Sequence, residues 1–387
     1  MLKTYELRVP QVILSGPDCV NNLGVEIKRL NKKKALIVTD EMMQKLGVAD
    51  KIIGILKESG IDSAVYAGVG GEPTDKNVDE GIKVYKDNNC DFLVGLGGGS
   101  PADTAKAVGI MATNPGKISD FMGAEKIPNP LPPVVIIATT AGTGTEITRF
   151  TIIADTEKDV KMLIGSSYLV PTIAVSDPMF TIPLPPKATA ATGIDALCHA
   201  FEAYVSKKAQ PISEFIALEA IRLISENLRT AWANGSDIEA RSNMMLGATL
   251  AGIAFSNASV TLIHGMSRPI GALFHVPHGV SNAVLLPVWA EFSYIGAPAR
   301  FAKVAEAMGE DITGLSTLDA AAKTADAVKR LCQDIQIPSI SGLGIDKEKF
   351  EAAIPKMATD AIASGSPSNN PRFATPEDIM ALYKKAW

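Results

Sequence analysis

An aspartate and three histidines have the residue types and the spacing of a metal site. Asp195 and His199 stand four residues apart in the Ala-rich segment GIDALCHAF, and an α-helix with 3.6 residues per turn places them on one face. His264 and His278 follow in the segment HGMSRPIGALFHVPH. One carboxylate and three imidazoles suit Fe²⁺, Mn²⁺ or Zn²⁺ and leave positions open for water or substrate. We therefore predict a divalent metal centre on these four residues.

The same helical spacing also occurs in surface pairs and in capped polar groups of a core, which need no metal. The distribution of histidines favours the metal interpretation. The chain has four histidines, and all of them, including His275, fall between residues 199 and 278. Scattered surface histidines seldom cluster in this way.

The length and composition exclude several classes of protein. A chain of 387 residues is expected to form two domains. With 37 basic against 42 acidic residues it has no field that attracts nucleic acid or an anionic membrane. No apolar run is long enough for a membrane span, and the N-terminus lacks a secretion signal, so we expect a cytoplasmic protein. Four scattered cysteines form no disulfide framework.

The first half of the chain alternates strand-like and helical patterns, which predicts an α/β domain with a mainly parallel sheet over residues 1–182. The proline-rich segment TIPLPPKA marks the boundary. Beyond it the apolar residues recur three and four apart, which predicts an all-α domain over residues 183–387 that carries all four candidate ligands. We expect the active site in the cleft between the two domains.

Two elements of the first domain predict a dinucleotide site. A glycine-rich turn follows the predicted strand 92–96 and opens a helix, where backbone N–H groups favour a pyrophosphate. A tight structural turn is the alternative. The second element is a loop of small hydroxyl residues that follows the strand-like run PVVIIA. Together the two elements contain Gly97, Gly98, Gly99, Ser100, Thr139, Thr140 and Thr143.

Asp40 ends an early predicted strand, KKKALIVTD. A carboxylate at that position is placed to hold an adenosine ribose hydroxyl and to repel a 2′-phosphate, which favours NAD over NADP. A helix N-cap is equally compatible with the sequence.

The chain resembles the iron-containing (group III) alcohol dehydrogenases over nearly its whole length, through GGGSPADTAKA, TTAGTGTE, ATGIDALCHAFEAY and HGMSRPIGALFHVPHG. The resemblance implies Fe²⁺ and NAD(H), a small aldehyde or alcohol as substrate, and a dimer or larger homo-oligomer. It assigns the metal to Asp195, His199, His264 and His278, the pyrophosphate to residues 97–100, and NAD selection to Asp40. It places the nicotinamide and ribose contacts around Thr139, Thr140, Thr143 and Lys161.

Two positions depart from the family pattern. Arg268 replaces a histidine often treated as a proton carrier, so His275 is the predicted substitute, and Glu72 stands where an asparagine is usual. An arginine beside a metal would pair with a carboxylate, phosphonate or sulfonate. This predicts a small anionic aldehyde, such as sulfoacetaldehyde, as substrate. The alternatives for Arg268 are a salt bridge to a nearby acid and a contact with the cofactor phosphates.

Two other classes of function remain to be weighed. A metal-dependent lyase of the dehydroquinate synthase type uses NAD transiently, but it needs a basic cluster for its phosphorylated substrate, and none surrounds the candidate ligands. A non-catalytic subunit is disfavoured by the intact candidate ligands and glycine turns.

Overall fold

The computed structural model describes residues 4–158 and 160–387. Among these residues the strands are β1 (Val12–Ser15), β2 (Lys34–Val38), β3 (Asp62–Tyr66), β4 (Phe92–Gly97), β5 (Gly123–Ala124), β6 (Val134–Ala138), β7 (Phe150–Asp155), β8 (Val160–Gly165) and β9 (Ile173–Ser176). The helices are α1 (Leu23–Arg29), α2 (Glu41–Lys45), α3 (Val48–Glu58), α4 (Asp75–Asp87), α5 (Gly99–Thr113), α6 (Pro186–Val205), α7 (Pro211–Ala233), α8 (Ile238–Ala258), α9 (Leu262–Phe274), α10 (His278–Ser293), α11 (Pro298–Ala307), α12 (Thr317–Asp334), α13 (Lys347–Ala363) and α14 (Pro376–Ala386).

The first unit is built on a six-stranded sheet in the order β1-β9-β6-β4-β2-β3, and every pairing in it is parallel. Both faces are covered. Leu36 and Val38 of β2 join one apolar core, whereas Ala35 and Ile37 join the core on the opposite face. Burial on both faces explains why this strand is continuously apolar. The predicted fold class, α/β followed by all-α, is confirmed.

The strand order reverses direction beside β2. From β2 the chain passes to β3 on one side and then returns to β4 on the other side. The carboxyl ends of β2 and β4 therefore border the switch point where open α/β sheets usually bind ligands. Thr39 Oγ1 donates a hydrogen bond of 2.9 Å to the carbonyl of Leu96 and joins these two ends.

A three-stranded sheet, in the order β5-β8-β7, accompanies the large one. Its β7 and β8 pair antiparallel, and β5 adds to β8 in parallel. This sheet carries Lys161 on β8. Our sequence analysis did not predict a separate sheet.

The second unit is helical, and α6 lies at its centre, packed against α7, α8 and α10. Alanine, leucine and phenylalanine occupy several sides of α6, and most of its residues are buried. A helix with small and apolar residues on every side belongs inside a core. Polar side chains of α6 are therefore held in an environment that excludes most water.

The two compact units comprise residues 8–181 and residues 182–387, and residues 4–7 group with the helical unit. The boundary predicted from the sequence places residues 4–7 in the first domain. One physical reason for the difference is the hydrogen bond of 2.7 Å from Gln210 Nε2 to the carbonyl of Glu6. Residues 1–3 and 159 of the predicted first domain lie outside the described residues.

Among the described residues, no single helix is both long and apolar enough to cross a membrane. Only α8 and α9 taken together reach that length and composition, with a bend of 103° between them.

Candidate metal centre and nucleotide-binding turn

The four predicted ligands converge in the helical unit. Asp195 Oδ1 lies 4.0 Å from His199 Nδ1 and 3.8 Å from Nε2 of both His264 and His278. One donor atom from each of the four residues lies within 4.8 Å of every other. Two ligands bound about 2.1 Å from one ion stand about 3–4 Å apart, so the donor set fits a single divalent cation.

The helix α6 supplies Asp195 and His199 from adjacent turns, as their spacing predicts. The ring of His199 stacks on Phe255 with centroids 4.1 Å apart and on His264 at 4.5 Å. Burial opposes ionisation of Asp195, but the three imidazoles outweigh it and hold the pKa of this carboxyl below its usual value. The cluster therefore combines one buried carboxylate with three imidazoles, whose positive charge when protonated favours the ionised carboxylate.

Glu202, one helical turn after His199, fixes the position of His264. Its Oε1 accepts hydrogen bonds from the backbone N–H groups of Thr261 and Ile263, at 2.8 and 2.9 Å, at the start of α9. Its Oε2 contacts His264 Nδ1. A protonated Nδ1 directs the lone pair of Nε2 toward the cluster, which is the usual role of a carboxylate behind a metal-binding histidine. Burial alone would raise the pKa of Glu202. The combined effect of His264 and Thr261 is larger and holds this pKa below its usual value.

The N-terminus of α10 brings His278 to the cluster through a close approach to α6. A Cβ atom on Gly279 would lie only 2.6 Å from the carbonyl oxygen of Ala191. Only glycine fits this contact without displacing the backbone. His278 is the exposed member of the cluster, whereas Asp195, His199 and His264 are buried.

Two residues at this site escaped the sequence analysis, Glu202 and Asn282. Both lie at helical spacing from a predicted ligand, since Glu202 follows His199 by three residues and Asn282 follows His278 by four. That spacing was the available signal, but it does not show that the side chains turn inward.

The two predicted catalytic residues occupy different surroundings. Arg268 lies one turn after His264 on α9 and donates a hydrogen bond of 3.3 Å to Ser366 Oγ. Burial lowers the pKa of Arg268, while Glu202 opposes this effect. His275 ends α9 in a left-handed conformation, with φ of 54°, and its side chain is exposed. Its assignment as a proton carrier stays a prediction.

The glycine turn lies at the switch point, between β4 and α5. Gly97 has φ of 145°, and a Cβ atom there would lie 2.7 Å from Pro101. Threonines of the second predicted element lie against the same turn. The Cβ position of Gly98 is 3.6 Å from Thr140 Cγ2, and that of Gly99 is 3.2 Å from Thr143 Cγ2. Ser100 lies in the first turn of α5, and Thr139 N–H donates a 3.0 Å hydrogen bond to Gly97.

Asp40 borders this turn and also caps a helix. Its Oδ1 accepts a hydrogen bond of 2.9 Å from Met43 N–H at the start of α2. Its Oδ2 lies 3.4 Å from the Cβ position of Gly97. The N-cap interpretation is therefore correct for one oxygen, and the other faces the turn.

Behind the threonine loop, a buried lysine holds the backbone of residues 145–150. Lys106 Nζ donates to the carbonyls of Thr145 and Thr148, both at 2.7 Å, and to that of Phe150 at 3.0 Å. Asp103, also on α5, accepts a 3.1 Å hydrogen bond from Ile152 N–H. The sequence places Asp103 at a helix start but predicts no contact with residues 145–152 for either side chain, because both lie inside an Ala-rich helix.

Lys161 projects from the smaller sheet and forms an ion pair with Glu72. Among the described residues, no side-chain hydrogen bond joins Lys161 to the glycine turn or to the threonine loop. Glu72 thus contacts the residue that the resemblance assigns to the cofactor.

Both halves of the chain match models of one protein family. Residues 10–178 match the model of "Iron-containing alcohol dehydrogenase", and residues 189–387 match "Fe-containing alcohol dehydrogenase family, C-terminal". The 1,3-propanediol dehydrogenase of Klebsiella pneumoniae is 44% identical over 388 residues, covering 100% of this chain and 99% of the relative.

Solved structures agree in fold. A crystal structure of 1,3-propanediol oxidoreductase has a TM-score of 0.97 and 44% identity, and each chain is covered completely. The sulfoacetaldehyde reductase of Bifidobacterium kashiwanohense, solved with NAD⁺, has a TM-score of 0.89 and 28% identity, covering 100% of this chain and 99% of that one. The chain belongs to the iron-containing alcohol dehydrogenase family. The prediction of an NAD-dependent alcohol oxidoreductase is thereby confirmed, and the lyase alternative is not favoured.

Proposed function

We propose that this protein interconverts a small aldehyde and its alcohol with NAD(H) at a metal centre formed by Asp195, His199, His264 and His278. The convergence of these four donor groups within 4.8 Å carries the proposal. When bound there, Fe²⁺ supplies Lewis acidity toward the oxygen of the substrate. The ligand types suit Zn²⁺ or Mn²⁺ as well.

The cofactor is assigned to the switch point of the parallel sheet. In the proposed arrangement, the N–H groups of Gly98, Gly99 and Ser100 at the start of α5 bind the pyrophosphate. Thr139, Thr140 and Thr143 line the same turn, and Oδ2 of Asp40 is free of the helix cap to accept from a ribose hydroxyl. Lys161 is added as a nicotinamide or ribose contact on the family resemblance alone.

Bound NADH would supply the hydride for the carbonyl carbon of the aldehyde, and the carbonyl oxygen would take up a proton. No protein nucleophile takes part. His275 is the proposed source of the proton, directly or through water. A homodimer or larger assembly in the cytoplasm completes the proposal.

Arg268 supports a finer proposal, an anionic substituent on the substrate. No carboxylate of the described residues lies within 4.0 Å of its guanidinium, and its one side-chain hydrogen bond goes to a neutral serine. A partly buried guanidinium with no carboxylate of the described residues within 4.0 Å favours a carboxylate, phosphonate or sulfonate, to which it can donate in pairs. The sulfoacetaldehyde reductase among the structural relatives handles a substrate of that class.

A neutral short-chain diol is the second candidate. The observation that favours it is the 44% identity to a 1,3-propanediol dehydrogenase across the full chain. In that case Arg268 serves the packing of α9, and the substrate carries no charge.

The two candidates are separated by anaerobic NADH oxidation with Fe²⁺-loaded protein. We expect kcat/KM for sulfoacetaldehyde to exceed that for 3-hydroxypropionaldehyde by about a hundredfold, near 2.7 kcal/mol, and Arg268→Gln to abolish the preference. The control is Arg222→Gln, which removes a charge from an exposed pair with Glu219 and Glu226. A preference for the neutral aldehyde that Arg268→Gln leaves unchanged would establish the second candidate instead.

A further inference from the structure

The amide of Asn282 lies among the donor atoms of the proposed metal centre. The residue is completely buried on α10. Its Nδ2 lies 2.6 Å from Asp195 Oδ1, 3.1 Å from His264 Nε2 and 3.2 Å from His278 Nε2. Its Oδ1 is also buried and accepts no hydrogen bond from any described residue. The donor side of the amide thus faces the cluster, and its acceptor side is unsatisfied.

The contacts of Nδ2 use the same lone pairs that a cation would use. Nδ1 of His264 is engaged by Glu202, so Nε2 is the acceptor nitrogen of that ring. Nδ2 carries two hydrogens, so it donates to the buried carboxylate and to one imidazole lone pair at a time. An imidazole nitrogen has one lone pair, so Nε2 of His264 or His278 cannot coordinate a cation and also accept from Nδ2. Asp195 Oδ1 has a further lone pair, so the conflict with a loaded site lies at the two imidazoles. Loss of these hydrogen bonds would also leave N–H groups pointing at a positive ion.

A half-turn of the amide removes this conflict. Oxygen and nitrogen of a carboxamide are nearly equal in size, so rotation about the last side-chain bond exchanges them with little other movement. The rotation would point Oδ1 into the cluster, and amide oxygens are accepted by hard divalent cations. It would also give the unsatisfied oxygen a partner of opposite charge.

We infer that Asn282 is a fifth residue of the metal centre and that its amide turns on loading. Without a metal its two N–H groups bind Asp195 and one of the imidazoles of His264 and His278. With a metal its carbonyl oxygen faces the ion. This inference rests on the proposed metal role of the four residues, and it requires nothing of the cofactor or the substrate.

The test measures Zn²⁺ affinity of the full chain by competition with a chromophoric chelator. We expect Asn282→Leu to weaken binding by about 10–100-fold, the usual loss when a group supporting a metal is removed. We expect Asn282→Asp to bind Zn²⁺ at least as tightly as the unmodified protein, because a carboxylate oxygen replaces the amide oxygen. The visible absorption of Co²⁺-loaded protein, which responds to the oxygen donors around the ion, should change in the leucine variant.

Asn370→Leu is the matched control. Asn370 is also completely buried in the helical unit, where it accepts from Trp289 Nε1 at 2.9 Å and donates to Ser293 Oγ at 3.2 Å. Its loss should lower the thermal stability without changing the Zn²⁺ affinity. Binding by Asn282→Leu as tight as in the unmodified protein would overturn the inference.

Two further outcomes keep the test decisive. If Asn282→Leu does not fold, Asn282→Asp decides, and weaker Zn²⁺ binding by that variant contradicts the inference. If Asp195→Asn binds Zn²⁺ as tightly as the unmodified protein, the proposed metal centre itself is wrong. That result is distinguishable from a failure at Asn282 alone.

Discussion

Two buried charges, Lys106 of the α/β unit and Asp195 of the helical unit, are satisfied in different ways. Lys106 Nζ donates to three backbone carbonyls and to Thr148 Oγ1. Asp195 accepts from Asn282, but it faces imidazole nitrogens that are themselves acceptors. Backbone carbonyls satisfy the lysine, whereas the aspartate faces imidazoles that are positive partners only when they are protonated. Lys106 therefore stabilises the fold, whereas Asp195 is suited to binding a cation.

The two groups also differ in how their surroundings shift their pKa values. Burial lowers the pKa of Lys106, and the nearby carboxylates of Asp103 and Glu146 oppose that effect. Burial raises the pKa of Asp195, and the imidazoles reverse the shift. Positive charge beside Asp195 favours its ionised form, and a divalent cation would supply that charge while the imidazoles stay neutral.

The largest effect should come from Asp195→Asn, which removes the charge that makes the cluster a cation site. We expect metal content to fall below one-tenth and NADH oxidation to fall by about a thousandfold or more, since a Lewis acid contributes several kcal/mol. Binding of NADH, followed by fluorescence, should persist. Metal analysis that finds one ion per chain in a fully active variant would end the comparison.

Lys106→Met should lower the stability of the protein and leave its metal binding intact. Removing the ammonium leaves buried carbonyls without a donor, so we expect a loss of about 2–5 kcal/mol in the stability of the α/β unit. Calorimetry should show the lowered transition, and Zn²⁺ affinity should be unchanged. The comparison fails if this variant keeps its stability and loses its metal.

Glu202→Gln tests the contribution of one hydrogen bond, between Glu202 and His264, to metal binding. The variant keeps an acceptor for the N–H groups of Thr261 and Ile263 but weakens the contact with His264 Nδ1. We expect a loss of about 10–100-fold in metal affinity, measured by chelator competition. Glu214→Gln, which removes a carboxylate paired with Arg300, is the control and should bind metal normally.

The smallest effect concerns the acid stability of the metal-free protein. Burial lowers the pKa of His278, and Asp195 only partly opposes the shift. The unfolded chain therefore binds a proton near pH 6.5 while the folded protein still does not. Stability from this residue is complete above about pH 6.5 and is lost as the pH falls toward the lower folded pKa.

Solvent screening makes this contribution modest, because the His278 side chain is 46% exposed. Thermal unfolding between about pH 4 and 7 should show a flatter pH dependence for His278→Gln than for the unmodified metal-free protein. Identical profiles for the two proteins would show that His278 is already solvated like a surface residue.

The amino-acid sequence alone determined the features that depend on local geometry. Helical periodicity placed Asp195 and His199 on one face of α6. Strand-to-turn patterns located the glycine turn after β4, and the alternation of strands and helices predicted the parallel sheet. These inferences succeed because the spacing of residues along a helix or strand fixes which side chains are neighbours. The family motifs then joined His264 and His278 to the same site.

Tertiary structure decided the contacts between distant segments. Glu202 reaches His264 across 62 positions of sequence, and Asn282 reaches Asp195 across 87. Lys106 closes on a loop 39 to 44 residues away. No periodicity predicts such contacts, because they depend on which helix faces pack together and how closely the backbones approach. The close approach of Gly279 to Ala191 is one such case. It brings His278 of α10 to Asp195, which lies on a different helix, α6.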